Sequence, residues 1–172
     1  FELGENGTGN EVYFEEDETF GVFSYKTKTE KYIVIGSYAT LSQEYRILNA
    51  DKPKGEFKLF QERVNGLEYS ISHFQDKWFI TTNKDDAINF KVMTCPESKT
   101  GSENWVDYIK HREDVLLGGI EVFDDFLVVS ERENGLRRID IRPWNDKKTH
   151  FINFDEEAYS LYLSSNPQME TK

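Results

Sequence analysis

The sequence predicts an all-β fold, a partial β-propeller of about three four-stranded antiparallel blades plus single strands of the flanking blades. Three observations predict it. The chain of 172 residues repeats itself about every 45 to 49 residues, the period at which propeller blades recur. Each repeat carries four short runs of apolar and β-branched residues separated by turn residues, the pattern of a four-stranded antiparallel sheet. Aromatic content is 15%, and aromatics favour pleated, half-buried positions.

The second runs align the repeats: an aromatic opens each at Tyr32, Trp78 and Phe126, followed by Ile33-Val34-Ile35, Phe79-Ile80-Thr81 and Leu127-Val128-Val129. Third runs follow at Tyr45-Arg46-Ile47-Leu48, Phe90-Lys91-Val92-Met93 and Arg138-Ile139-Asp140-Ile141. Fourth runs come at Phe57-Lys58-Leu59, Trp105-Val106-Asp107 and Phe151-Ile152-Asn153. First runs are looser, near Val22-Phe23, Tyr69-Ser70-Ile71 and Ile120-Glu121-Val122. A further copy at Tyr159-Ser160-Leu161-Tyr162-Leu163 and a run at Val12-Tyr13-Phe14 are expected as strands of neighbouring blades. Short polar breaks at Lys28-Thr29-Glu30, Gln75-Asp76-Lys77 and Asp124-Asp125 are long enough to reverse a strand. Asn134-Gly135 is the strongest turn signal, because both residues tolerate the positive φ of a two-residue hairpin, and Asn65-Gly66 marks a handover between repeats. Trp105, Tyr108, Ile109 and Arg112 have helical spacing, but their place in the repeat argues for a strand. Blades are thus expected at about 19–63, 67–111 and 115–154, with 159–163 opening the next.

Three blades cannot close a ring, which needs roughly four to eight. With its start at Phe1 rather than Met, the chain is expected to be a piece of a longer protein, so a missing signal peptide is uninformative. If blades are apolar on both faces, an open stack bares two end faces of about 400 Å² each. Self-association through those faces, or pairing through 12–16 or 159–163, is the expectation, unless the terminal segments fold back over them.

Composition narrows the partners. No run reaches the ~18 apolar residues of a membrane span. With 21 basic against 32 acidic residues, the net charge of −11 argues against nucleic acid or an anionic membrane; it is compatible with basic peptides, while a solvated acidic surface is the blander account. The single Cys95 rules out an internal disulfide. There is no Gly-x-Ser-x-Gly elbow, Gly-rich phosphate loop or His-Glu-x-x-His helix. His73, His111 and His150 fall on different strands of successive repeats, as structural hydrogen-bonding histidines do. The carboxylate groups Glu15-Glu16-Asp17-Glu18, Asp85-Asp86, Asp124-Asp125 and Asp155-Glu156-Glu157 lie in predicted turns, where solvated charge belongs, and none has calcium-loop spacing. No catalytic, cofactor-binding or metal-binding residue is therefore assigned, and no cofactor.

Collinear stretches resemble a known family. Residues 12–20, Val12-Tyr13-Phe14-Glu15-Glu16-Asp17-Glu18-Thr19-Phe20, are similar to the "VYEEKDDTFY" of the oligopeptidase B (protease II) branch of the prolyl oligopeptidase family of serine peptidases. Ser42-Gln43-Glu44-Tyr45-Arg46-Ile47-Leu48-Asn49-Ala50-Asp51 resembles its "TSEWRYLDAD", His111-Arg112-Glu113-Asp114-Val115-Leu116-Leu117 its "HRPDVLL", and Leu127-Val128-Val129-Ser130-Glu131-Arg132 its "LVVSER". Leu67 stands where that family has His, and Asp86-Ala87-Ile88 replaces a Gly-Ala-Lys type turn. The resemblance covers almost the whole chain. It implies a seven-bladed propeller capping an α/β-hydrolase domain whose Ser-Asp-His triad cleaves short peptides after Lys or Arg, the hydrolase domain lying outside this chain. It implies that the propeller restricts access of large substrates and packs on the hydrolase domain. The cytoplasm is the expected location, with the periplasm left open. A scaffold propeller that binds proteins, with no hydrolase attached, is the alternative.

Overall fold

The computed structural model describes residues 9, 11–145 and 148–171. Among them, twelve strands form three four-stranded antiparallel sheets, each a meander in chain order. The first contains β1 (Gly21–Lys26), β2 (Tyr32–Ala39), β3 (Ser42–Asn49) and β4 (Lys58–Gln61). The second contains β5 (Tyr69–Phe74), β6 (Lys77–Thr82), β7 (Lys91–Pro96) and β8 (Val106–Ile109). The third contains β9 (Val115–Val122), β10 (Phe126–Glu133), β11 (Leu136–Pro143) and β12 (His150–Phe151). These are three blades of an open propeller.

The turns follow the local chemistry. Asn134 and Gly135 both take positive φ, 50° and 82°, so the β10–β11 hairpin closes in a type I′ turn whose twist matches its strands. Gly66, at φ 84°, donates its N–H to the Leu41 carbonyl at 3.0 Å and passes the chain from the first sheet to the second. Ladders slip by one residue at Tyr45/Arg46, Val92/Met93 and Ser130/Glu131, bulges that strengthen the local twist.

Alternation along the strands buries one seam between each pair of sheets. Val34, Tyr45, Ile47 and Phe60 of the first sheet meet Tyr69, Ile71, Trp78, Ile80, Met93 and Trp105 of the second. The opposite face of the second sheet, through Phe74, Phe79, Val92 and Ile109, meets Leu117, Val122, Leu127 and Val129 of the third.

Several expectations change. Residues 12–14 and 159–163 join no ladder among the described residues; they run across sheet faces instead of along sheet edges. Phe90 lies outside β7 in a left-handed conformation (φ 61°), at the end of the turn in which Asp85 and Asp86 are also left-handed, its N–H donating to the Ala87 carbonyl at 2.7 Å. Trp105 precedes β8, its indole N–H donating to the Thr100 carbonyl at 2.7 Å after a short 3₁₀ turn at Ser102–Asn104. Ile152 and Asn153 fall beyond β12, which pairs only with Asp140 and Ile141.

The end faces are not bare apolar surfaces either. The outer face of the first sheet carries buried Ser37 and Glu44. Residues 13–20 cover it: the Tyr13 hydroxyl lies 2.8 Å from Ser37 Oγ, Arg46 stacks on the Tyr13 ring at 4.5 Å, and Arg63 on Phe20 at 3.9 Å. On the third sheet, Leu161 packs against Phe123, Val128 and Ile139, while Arg137 lies 4.3 Å from the Tyr162 ring. The chain's own terminal segments fold back over both ends.

Candidate functional site: the inner-strand groove

The first strand of each sheet faces a shared concavity. At one end, β1, β5 and β9 border a cavity of about 420 Å³, lined by Lys28, His73 and Glu121 among others and flanked by Asn166 and Pro167 of the C-terminal segment. Lys28, in the β1–β2 turn, reaches past the second sheet: its Nζ lies 2.9 Å from Glu121 Oε1 and 3.3 Å above the Phe123 ring. This ion pair and cation–π contact tie the first sheet directly to the third.

His73 sits at the seam between the first two sheets and is almost wholly buried. Its Nε2 lies 2.9 Å from Glu97 Oε1 and its Nδ1 2.8 Å from Thr29 Oγ1. A carboxylate only accepts, so Nε2 carries the proton and, in the neutral ring, Nδ1 accepts from the Thr29 hydroxyl. Burial pulls the imidazole pKa down, against the opposing pull of Glu97. Burial raises the Glu97 pKa, but hydrogen bonds from Lys31, Tyr32 and His73 outweigh it and leave the carboxyl below its ordinary range.

A hydroxyl–imidazole–carboxylate chain has the composition of a nucleophilic relay. Its surroundings point to docking instead. Lys31 Nζ lies 2.5 Å from the same carboxylate oxygen, and the Tyr32 and Trp78 rings pack on the imidazole with centroids 5.0 and 4.9 Å away. The relay holds the β1–β2 turn of one blade to strand β5 and to the turn after β7 of the next. Its partners, Thr29 and Glu97, stand in turns, and the sequence does not single out Glu97; His73 lies opposite Trp78 near the end of β5.

The other expected candidates are scattered. His111 Nε2 accepts from the Asn89 amide at 3.3 Å, and His150 lies exposed in β12. Among the described residues no three His, Cys, Asp or Glu side chains gather as a metal site. Asp85 pairs with Lys84 and Lys91, whose hydrogen bonds hold its pKa down. Glu15 pairs with Arg63, and that bond lowers its pKa to about 2. Asp124 and Asp125 edge a separate cavity, and residues 155–157 are exposed. Cys95 is buried, which pushes its thiol up to about 12.

A family profile described as "Prolyl oligopeptidase, N-terminal beta-propeller domain" matches residues 2–172. The chain belongs to the prolyl oligopeptidase family. Among curated relatives of this propeller, dipeptidyl aminopeptidase BI of Pseudoxanthomonas mexicana is 39% identical over 93% of the chain, and protease 2 of Moraxella lacunata 31% over 98%. The chain spans 22% and 24% of their lengths. Its fold is that of a propeller segment in oligopeptidase B from Leishmania major (TM-score 0.76, 24% identity) and from Trypanosoma brucei (TM-score 0.76, 25% identity), each covering 85% of this chain and 22% of that one. This prolyl oligopeptidase-family propeller thus keeps its three-blade core together through seam contacts, among them the His73 relay, the Lys28 bridge and the bond from the Tyr25 hydroxyl to the Ile71 carbonyl at 3.3 Å.

Proposed function

We propose that the chain is the propeller segment of an oligopeptidase B-like serine peptidase that cleaves short peptides after Lys or Arg. In this reading the propeller packs on an α/β-hydrolase domain and restricts access of large, folded substrates. The observation that carries it is the family match over residues 2–172, and the net charge of −11 supports it, since an acidic surface attracts cationic peptides. The test uses the intact protein with a fluorogenic Arg-Arg substrate and a neutral counterpart of equal length. Turnover of the basic peptide, blocked by a fluorophosphonate that labels an active serine, is the expected result. Absence of both labelling and turnover overturns the reading in favour of a scaffold propeller.

The higher identity to dipeptidyl aminopeptidase BI favours a second reading, release of dipeptides from a free amino end. Blocking the substrate's amino group separates the two: an oligopeptidase tolerates the block, whereas an aminopeptidase loses turnover.

A further inference from the structure

Across the start of β5, away from the Lys28 cavity, lies a second cavity of about 380 Å³, within the size range of small-ligand sites. Aromatic rings dominate its lining: Phe23, Tyr38, Tyr45, Tyr69 and Phe90. Phe23 and Tyr38 remain 38% and 50% exposed. They are held in place by two glycines, since a Cβ on Gly36 would lie 2.4 Å from the Phe23 ring and one on Gly21 2.8 Å from the Tyr38 ring. Phe23 lies 5.7 Å from Tyr38 and edge-on to Tyr45 at 6.1 Å, so the three rings form a contiguous aromatic cluster lining the cavity.

Polar side chains share that cavity: Gln43, Glu68, Ser70 and Thr81. Glu68 uses Oε1 to accept from Asn83 Nδ2 at 3.3 Å, leaving Oε2 without a hydrogen-bond partner among the described residues. Thr81 is 8% exposed, and its buried Oγ1 likewise has no partner. An unpartnered buried hydroxyl is uncommon, because leaving it unmade costs roughly 1–3 kcal/mol.

We propose that this cavity binds the cationic side chain of a peptide, a guanidinium or ammonium group, between the Phe23–Tyr38 wall and the Glu68 carboxylate. Aromatic faces attract cations through their quadrupole. Glu68 supplies the counter-charge, and Thr81 Oγ1 gains the donor that it lacks. An arginine side chain suits all three, having an apolar stem, a stacking plane and five fixed donors. The inference deepens the peptidase reading by giving the propeller a recognition subsite of its own, and rests on that reading for its use in the cell.

The test takes the intact protein after fluorophosphonate treatment, so that any serine-peptidase centre is occupied. Binding of N-acetyl-arginine amide is followed by saturation-transfer difference NMR with irradiation of aromatic protons. The size-matched citrulline amide, which lacks the charge, serves as control. Saturation of the arginine side-chain protons is expected, with citrulline binding at least about tenfold weaker. Tyr38→Leu, which keeps an apolar cover on Gly21, and Glu68→Gln, which keeps the Asn83 bond, should each weaken arginine binding roughly three- to tenfold. Equal binding of both probes, no binding, or unchanged affinity in both variants overturns the proposal. Peptide turnover is measured on untreated protein, so the peptidase reading can fail while the subsite stands, and the reverse.

Discussion

His73 shows how one side chain joins two blades. Replacing it with Phe keeps a ring against Tyr32 and Trp78 but strands the Thr29 hydroxyl and removes one donor from Glu97. We expect a loss of about 1–3 kcal/mol, read from urea unfolding at pH 8. The pH response carries the sign of the shift. Because the folded pKa lies below the ordinary 6.5, the unfolded chain takes up the proton first. The contribution is complete above 6.5 and declines as pH falls below it. A His73→Phe protein should therefore lose less stability between pH 8 and 5.5 than the wild type; equal losses would remove His73 from the acid response. The sequence marked His73 as a structural hydrogen-bonding residue, and it is one. Its partners were illegible, because Thr29 and Glu97 lie 44 and 24 residues away and meet it only when neighbouring blades pack.

Strands were more legible than sites because they obey local rules. The repeat spacing and the aromatic openings located the second and third strands of every sheet, where both neighbours are strands of the same meander. Outer strands were overextended at Ile152 and Asn153, since an edge strand runs only as far as one partner allows. Phe90 was misplaced because hydrophobicity reports burial and not the sign of φ. The Asn134–Gly135 turn is the clearest local success, and it yields a prediction. Gly135→Ala puts a side chain at φ 82° and should cost about 1 kcal/mol, whereas Asn134→Gly should be nearly neutral. Thermal unfolding of both variants checks this; a neutral Gly135→Ala would mean that the hairpin relaxes to another turn.

At the scale of the molecule, residues 13–20 and 161–162 lie over the two end faces. Glu15 holds the first cover through Arg63 and accepts from the Tyr13 hydroxyl at 2.7 Å. Its pKa of about 2, against 4.5 ordinarily, means that this contribution is full above 4.5 and is lost as pH falls toward 2. Glu15→Gln should thus loosen residues 11–20 at neutral pH, raising their amide exchange roughly tenfold and promoting association at high concentration. Unchanged exchange, with light scattering that matches wild type, would show that Phe20 and Tyr13 suffice. Net charge belongs to this scale as well: if −11 speeds capture of basic peptides, kcat/KM for them should fall as salt shortens the Debye length from ~10 Å at 0.1 M to ~3 Å at 1 M. A salt-independent value would exclude the global field. The chain-order meander has one more consequence, in time rather than space. Since every strand pairs with its neighbour in sequence, a blade can close as soon as its ~45 residues have left the ribosome, roughly 2–9 s of synthesis at 5–20 residues per second. Each seam then waits only for the next blade, so the propeller can assemble vectorially, with one growing edge exposed at a time.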